Sequence, residues 1–229
     1  MKLRFALGAW LCIAAMPAAV GAQETGLQHT MAVIRFANGG SFGDDAEAFE
    51  ALRLGLQQLV ITELARSQHI RVVDRRRLAS ATEALENVTP GRITPETAAL
   101  VGDRVGARYV VYGTFRDFYG DFRIDATIVN VETQQIVHTA RLRDKREQLY
   151  SIINALASRV VQGVNLPGLS AGREVPANGV RLYSRALLHI ERGQRDQARQ
   201  LLERLQRDYP QLTEVADELE RLGRTENIQ

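Results

Sequence analysis

The feature that most limits how this chain can fold is a row of three strand-like runs with almost no chain between them. Arg108–Phe118, Phe122–Val131 and Ile136–Leu142 are rich in β-branched and aromatic residues. Strands joined by turns this short must pair antiparallel. In the second run apolar residues alternate with charged or hydroxyl-bearing ones, which predicts one buried face and one wet face.

Strand and helix signals alternate before this meander, and a long helix follows it. Met31–Phe36 and Ile70–Val73 are short apolar runs of the kind that form buried strands. Apolar residues recur at helical spacing between these two runs, again over Arg76–Glu86, and again over Leu149–Val164. The pattern predicts an α/β fold, with a mixed sheet of about five strands and helices packed on it.

Local residues also predict where some of these helices begin and end. Thr94 followed by Pro95 favours a helix start, because threonine caps well and proline suits the first helical position. Gly106 favours the end of the same helix. Asp44 or Asp45 is expected to cap the helix that follows the first strand.

The composition changes after the last of these helices. Residues 166–178 are rich in glycine, proline and serine, which is typical of a linker. Apolar residues at helical spacing then return over 179–223, with breaks at Gly193 and at Tyr209-Pro210. We therefore predict an α/β domain over 28–165 and a small all-α unit after the linker, built as a helical hairpin with one more helix.

The first 22 residues have the plan of a secretory signal peptide. Lys2 and Arg4 precede an apolar run, and small residues then lead to a cut after Ala22. The run is short for a membrane span, which needs about 20 apolar residues. We predict a signal peptide over 1–22 and a periplasmic product, with peripheral association at the outer membrane left open. A retained anchor and a lipoprotein cysteine at Cys12 are the alternatives.

Removal of this leader changes the composition of the product. The only cysteine leaves with it, and the loss of Lys2 and Arg4 from 29 basic residues balances basic and acidic residues at 27 each. A chain without thiols forms no disulfide, and a balanced charge without a basic stripe argues against nucleic-acid binding. No metal-ligand spacing links the histidines, so we predict no metal site. They are His29, His69, His138 and His189.

Two polar stretches resemble ligand-binding sites, and each can also be explained as an ordinary turn or a solvated strand face. Asn38–Gly43 lies between a strand and a helix like an anion cradle, but it lacks GK[ST] and is followed by two aspartates. An acidic cluster near the meander alternates with arginines, as a solvated strand face does, and has no EF-hand spacing. Its members are Asp117, Asp121, Asp125 and Glu132. With no serine in a GxSxG setting, we predict a non-enzymatic protein without a cofactor.

Four segments carry a resemblance to known families: MAVIRF with Asn38, LARSQHIRVVDRRRL, VGARYVVYGTFRDF and IVNVETQQIV. Through them, residues 31–164 resemble the CsgG family of curli secretion components and the related amino-terminal domain of TolB-type proteins. The resemblance implies an anticodon-binding-like α/β fold and work in envelope assembly, secretion or partner binding. The curli channel inserts hairpins into the outer membrane, whereas every strand signal here is used by the core sheet.

The tail resembles a single tetratricopeptide repeat. The residues at the family's spacings are Ala186, Gly193, Ala198, Leu202 and Pro210. The positions that depart from the family's usual residues are Arg185, His189 and Leu205. Because about three repeats are needed for an independent solenoid, we expect this unit to pack on the first domain, on another subunit or on a partner.

A helical hairpin offers a groove that takes a helix or an extended peptide. We predict Arg185, His189 and Arg192 as partner-binding residues on this hairpin. The predicted function is a periplasmic adaptor or subunit in envelope assembly or secretion that acts through protein contacts, with a homo-oligomer left open. A curli-type outer-membrane channel subunit and a small-molecule-binding periplasmic domain are the alternatives.

Overall fold

The computed structural model describes residues 29–43, 46–86 and 93–226. The strands are β1 (His29–Val33), β2 (Ala37–Asn38), β3 (Ile70–Val72), β4 (Tyr109–Phe118), β5 (Asp121–Asn130) and β6 (Ile136–Lys145). The helices are α1 (Ala46–Ala65), α2 (Arg75–Glu86), α3 (Pro95–Val105), α4 (Leu149–Gly163), α5 (Ala177–Glu191), α6 (Arg195–Asp208) and α7 (Glu214–Glu226). The predicted fold class is confirmed: a mixed α/β sheet with packed helices is followed by three further helices. The predicted leader lies outside the described residues.

All six strands belong to one sheet, in the order β3-β1-β4-β5-β6, with the short β2 also paired to β4. β1 runs parallel to β3 and to β4, and β2 is parallel to β4 as well. β4, β5 and β6 form the predicted antiparallel meander, in which Tyr112 lies opposite Thr127 and Thr127 opposite Thr139. The sheet therefore has a parallel half around β1 and an antiparallel half that ends at β6.

The two faces of the sheet are covered differently. α1 and α4 pack on the face that presents Val111, Phe115 and Ile124, which we call the inner face. α2 and α3 pack on the opposite, outer face, against Ala32 and Val110 of the parallel half. Over β5 and β6 the outer face carries polar side chains instead, as the alternation in the sequence predicts. No described helix is long and apolar enough to cross a membrane.

The predicted ends of α3 are confirmed in atomic detail. The hydroxyl of Thr94 accepts a hydrogen bond from the backbone N–H of Thr97, and the hydroxyl of Thr97 accepts one from the backbone N–H of Thr94 at 2.8 Å. This capping box satisfies amide groups that the first helical turn leaves open. Gly106 ends the helix with a φ of 69°, in the left-handed region that glycine enters without strain. Asp44 and Asp45, the predicted caps of α1, lie outside the described residues.

The helical tail packs on its own α/β domain, which is the first of the three docking alternatives. α5 lies against α1, and the two backbones approach closely where Gly55 faces Ser184. A Cβ atom at Gly55 would lie 1.8 Å from the Ser184 hydroxyl oxygen. Tyr183 and Leu187 of α5 are fully buried in the same core that holds α1 and α4. The tail therefore completes the core of the first domain.

A buried charge network also ties the tail to the sheet domain. Arg173, in the irregular segment before α5, binds Glu63 of α1 at 2.8 Å and Glu214 of α7 at 2.9 Å. The Tyr150 hydroxyl donates to Glu63 at 2.7 Å, and Arg66 binds the same carboxylate. Burial acts to raise the pKa of Glu63, but hydrogen bonds from Tyr150, Arg66 and Arg173 outweigh it and lower that pKa. Glu63 is therefore held as a carboxylate.

Candidate functional site

Three aromatic side chains are exposed together where β4 turns into β5. Phe42, Phe118 and Tyr119 are 55%, 60% and 74% exposed. Their rings pack edge to face, with centroids 5.7 Å apart between Phe42 and Phe118 and 5.2 Å apart between Phe118 and Tyr119. We call this cluster the aromatic tip. Apolar groups gathered on a surface in this way are typical of protein contact sites.

The backbone of the turn presents Tyr119 in a conformation that costs free energy. Tyr119 has a φ of 52° and Gly120 a φ of 90°, as in a two-residue type I′ turn that follows the twist of its strands. Side chains other than glycine, asparagine and aspartate seldom occupy this region. Gly43, at a φ of 95°, lies under the tyrosine, and a Cβ atom there would be 2.9 Å from its ring. Strain of this kind, about 1 kcal/mol or more, is found mainly at functional positions.

The loop that carries Phe42 is hydrogen-bonded to β4 along its length. The Asn38 side-chain oxygen accepts from the backbone N–H of Ser41 at 3.0 Å and from its hydroxyl at 2.7 Å. That hydroxyl accepts from the backbone N–H of Asp117 at 3.0 Å. The N–H of Phe42 donates to the carbonyl of Asp117, and the N–H of Tyr119 donates to the carbonyl of Phe42. The aromatic tip is therefore held in place by two chain segments, and the amides of residues 39–42 are hydrogen-bonded within the protein itself.

Asp117 corrects the interpretation of the acidic cluster as a solvated strand face. Its side chain is 1% exposed, pairs with Arg146 and accepts a hydrogen bond from the backbone N–H of Gly120 at 2.8 Å. The alternation of β4 explains the burial, because Asp117 lies on the same face as Phe115 while Arg116 and Phe118 point the other way. Asp117 thus stabilises the turn from the inner face of the sheet. Strand alternation counted from Phe115 was the signal that could have found it.

Basic side chains surround the aromatic tip on the outer face. Arg116, Arg123 and Arg143 lie directly opposite one another across β4, β5 and β6. Asp125 binds Arg123 at 2.9 Å, and a hydrogen bond from Arg143 lowers the pKa of Asp121. Five basic side chains and two acidic ones share this part of the face, which leaves an excess of positive charge. They are Arg116, Arg123, Arg141, Arg143 and Lys145, with Asp121 and Asp125.

Like charges directly opposite each other destabilise a sheet, and the pairing of Arg123 with Asp125 and of Arg143 with Asp121 offsets part of that cost. The arginines of the row are exposed, so the excess positive charge of this face is presented to solvent. An acidic surface is the complement of this row.

The three partner-binding residues predicted on the hairpin are placed by α5 and its end. Arg192 pairs with Glu47 of α1, and the His189 Nδ1 atom lies 2.6 Å from the Gln194 side-chain oxygen. Arg185 is exposed and lines a small cavity of about 50 Å³ together with Asp117 and Arg146. The structure therefore brings Arg185 close to the ion pair under the aromatic tip. Partner binding by the three residues stays a prediction.

Metal ligands are not gathered in the part of the chain that the structure describes. No group of three or more histidine, cysteine, aspartate or glutamate residues there could hold a metal ion. An arginine pairs instead with each of three carboxylates there, Glu63, Asp117 and Asp125.

Comparison with known proteins gives similarities of fold. No family model matches the chain, and no curated protein matches it. TolB from Acinetobacter baumannii is 18% identical with a TM-score of 0.42, over 62% of this chain and 29% of TolB. The LpoB C-terminal domain from Salmonella enterica is 21% identical with a TM-score of 0.36, over 54% of this chain and 87% of that domain. LpoB from E. coli is 16% identical with a TM-score of 0.41, over 62% of this chain and 79% of LpoB. TolB is thus among the similar structures, whereas the CsgG and tetratricopeptide families are not shown.

Proposed function

We propose that this chain is a non-enzymatic periplasmic envelope protein, an adaptor or subunit in envelope assembly or secretion, that binds a partner protein through the aromatic tip. The observation that supports this most strongly is the tip itself, in which three packed rings are each more than half exposed. Rigid aromatic side chains offer a large contact area at a small cost in conformational entropy. Because hydrogen bonds already fix the loop of Phe42 and the turn of Tyr119, little ordering is left for binding.

The surroundings of the tip indicate the chemistry of the partner. Three aromatic rings require an apolar pocket, and the arginine row beside them favours carboxylates at the rim of that pocket. Anchors of this type contribute about 2 kcal/mol or more each when they fill a desolvated pocket. The proposed partner surface is therefore an apolar cleft with an acidic border.

Site-specific photocrosslinking in a Gram-negative host tests this proposal. The full precursor is expressed with a photoreactive phenylalanine at position 118, and in a matched control at Leu100, which is 51% exposed on α3. We expect a discrete adduct with one protein at position 118, lost when Phe42 and Tyr119 are both changed to alanine. Equal adducts at 118 and 100, or none at 118, would refute a contact at the aromatic tip.

Cell fractionation and light-scattering chromatography of the same protein test its location and assembly. We expect a protein of the soluble periplasm, cut near Ala22, that runs as a monomer or a small oligomer. A membrane-bound ring of many subunits would contradict the adaptor and favour the curli-type channel subunit.

A further inference from the structure

A second feature of the molecule lies apart from the aromatic tip and shares no residue with it. A cavity of about 420 Å³ opens beyond the carboxyl end of β1, between α1, α2, α3 and the outer face of β4 and β5. Small-molecule sites commonly have volumes of about 300–1,000 Å³. The cavity forms where the cover of α2 and α3 ends and the polar half of the outer face begins.

The topology of the sheet places this cavity where open α/β sheets form binding crevices. α1 connects β1 to β3 across the inner face, while α2 and α3 connect β3 to β4 across the outer face. β3 and β4 flank β1 on opposite sides, so the chain reverses its direction of winding at β1. Ligands of such sheets bind outside the carboxyl ends of the strands at that reversal. Ile34, Arg35 and Ala37, which follow β1, line the cavity.

One buried polar group of the lining is incompletely satisfied. Gln57 of α1 lines the cavity and is 3% exposed. Its Nε2 atom donates to the carbonyl of Val33 at 2.8 Å, whereas its Oε1 atom has no hydrogen-bond partner in the described part of the chain. A buried acceptor without a partner costs roughly 1–3 kcal/mol. A ligand that donates a hydrogen bond here would offset that cost.

Hydroxyl groups converge on the cavity from two neighbouring strands. Tyr112 and Thr114 of β4 line it together with Thr127 of β5, and Tyr112 lies directly opposite Thr127. Burial raises the pKa of the Tyr112 phenol, and a side-chain hydrogen bond with Thr127 acts to lower it, so these two hydroxyls are in contact with each other on the cavity wall. Hydroxyl groups both donate and accept, which suits a ligand that itself carries hydroxyls.

Three of the four charged side chains of the lining have counter-charges within the protein, and the fourth, Glu83, is exposed to solvent. Glu50 binds Arg53 at 2.8 Å, and Glu191 binds Arg35 at 2.6 Å. Asp125 is bound by a neighbouring arginine on β5 at 2.9 Å. An anionic ligand would meet the negative charge of Glu83 and would have to displace a carboxylate from Arg35 or Arg53, whereas a neutral ligand leaves the three ion pairs in place.

We propose that this cavity binds a neutral saccharide. A sugar ring combines many hydroxyl groups with an apolar face of C–H groups. The hydroxyls match Gln57, Thr114 and Thr127, and the apolar face matches Ile34, Val101 and the ring of Tyr112 on the cavity wall. Neutrality follows from the paired charges of the lining.

Titration of the full chain with sugars tests the proposal, and NMR chemical shifts report where they bind. The probes are maltose and N-acetylglucosamine, with glucuronate as an anionic comparison. We expect saturable shifts of Ile34, Gly113 and Thr127 with a neutral probe. Replacing Thr114 and Thr127 with valine keeps side-chain shape and strand preference and removes two hydroxyls, so we expect about a tenfold loss of affinity.

Thr139→Val is the matched control for this pair of substitutions. Thr139 lies opposite Thr127 on the same sheet face but outside the cavity lining, so the control should bind as the wild type does. The proposal is overturned if neither neutral probe gives saturable shifts at the cavity, if the Thr114/Thr127 variant keeps full affinity while folded, or if glucuronate binds more tightly than the neutral sugars. Circular dichroism establishes that each variant is folded.

Discussion

Replacing Arg173 with methionine removes the cation that holds two buried carboxylates on different helices. Glu63 is fully buried and Glu214 is 4% exposed, and Arg173 binds both within 2.9 Å. Methionine keeps much of the apolar stem of arginine, so the change isolates the charge. Loss of one partner from a buried ion pair costs about 3–5 kcal/mol, because the other charge stays buried without compensation.

The lower end of that range is expected here. Arg66 and Tyr150 still bind Glu63 after the substitution, so we expect the free energy of unfolding to fall by about 3 kcal/mol. For a chain of this size the melting temperature should fall by roughly 6–12 °C. Adding Glu63→Gln should restore part of the loss, because the amide leaves no buried charge at that position.

The pH dependence gives an independent check on the mechanism. In the wild type the pKa of Glu63 is lowered, so its contribution to stability is present above the unfolded pKa of about 4.3 and is lost as the pH falls through the folded pKa. Without Arg173 the folded pKa of Glu63 rises, because burial is then opposed only by the hydrogen bonds from Tyr150 and Arg66. The part of the lost stability that depends on the Glu63 charge then disappears as the pH falls and the carboxylate is protonated. The difference in stability between wild type and variant should therefore narrow on acidification.

Urea unfolding followed by circular dichroism at about pH 7 and about pH 4 measures both effects. Arg204→Met is the control, because it removes the exposed Arg204–Asp208 pair at 3.2 Å, and we expect a change within about 0.5 kcal/mol. A loss below about 1 kcal/mol for Arg173→Met would show that the buried network is not a major source of stability. If the difference in the free energy of unfolding between wild type and Arg173→Met stays constant with pH, the role assigned to Glu63 is refuted.

Three further predictions concern other parts of the molecule. Gly55→Ala should destabilise the protein by about 2 kcal/mol in urea unfolding, because the new methyl group meets Ser184, and Ser184→Gly in the same chain should recover part of the loss. Tyr119→Asn should leave stability unchanged or raise it by up to about 1 kcal/mol, since asparagine relieves the strain of a positive φ, yet abolish the adduct at position 118. Burial, and then the charge of Arg108, lowers the pKa of His29, so stability should fall as the pH drops below about 6.5, and His29→Gln should flatten that slope.

The parts of the fold that follow from local sequence were predicted well. The capping box at Thr94 and the stop at Gly106 depend on residues within one helical turn, and the meander depends on short turns and alternation. Even there the tight turn lies at Tyr119-Gly120, within residues 119–121 that separate the first two predicted strands, where residue preferences favour Gly120-Asp121. A tyrosine with a positive φ is unusual enough that residue preferences point to the next position.

The candidate site could not be predicted in the same way, because distant segments build it. Phe42 and Phe118 come into contact only when the loop after β2 pairs with the end of β4. No local sequence pattern predicts that pairing. The cavity depends on where α2 and α3 stop covering the outer face, which is decided by packing. Gln57 illustrates this, because within its helix it is one polar residue among apolar ones and its unpaired oxygen becomes evident only in the assembled fold.

The central position of β1 has a consequence for how the chain acquires its structure. β1 is made first, but it pairs with β4 through Met31 and Tyr109, far along the chain. The hairpins of β4, β5 and β6 involve near neighbours and can form early, whereas β1 must wait for them and for β3. β1 can therefore pair with β3 before β4 has emerged, but its second sheet partner, β4, begins only at Tyr109.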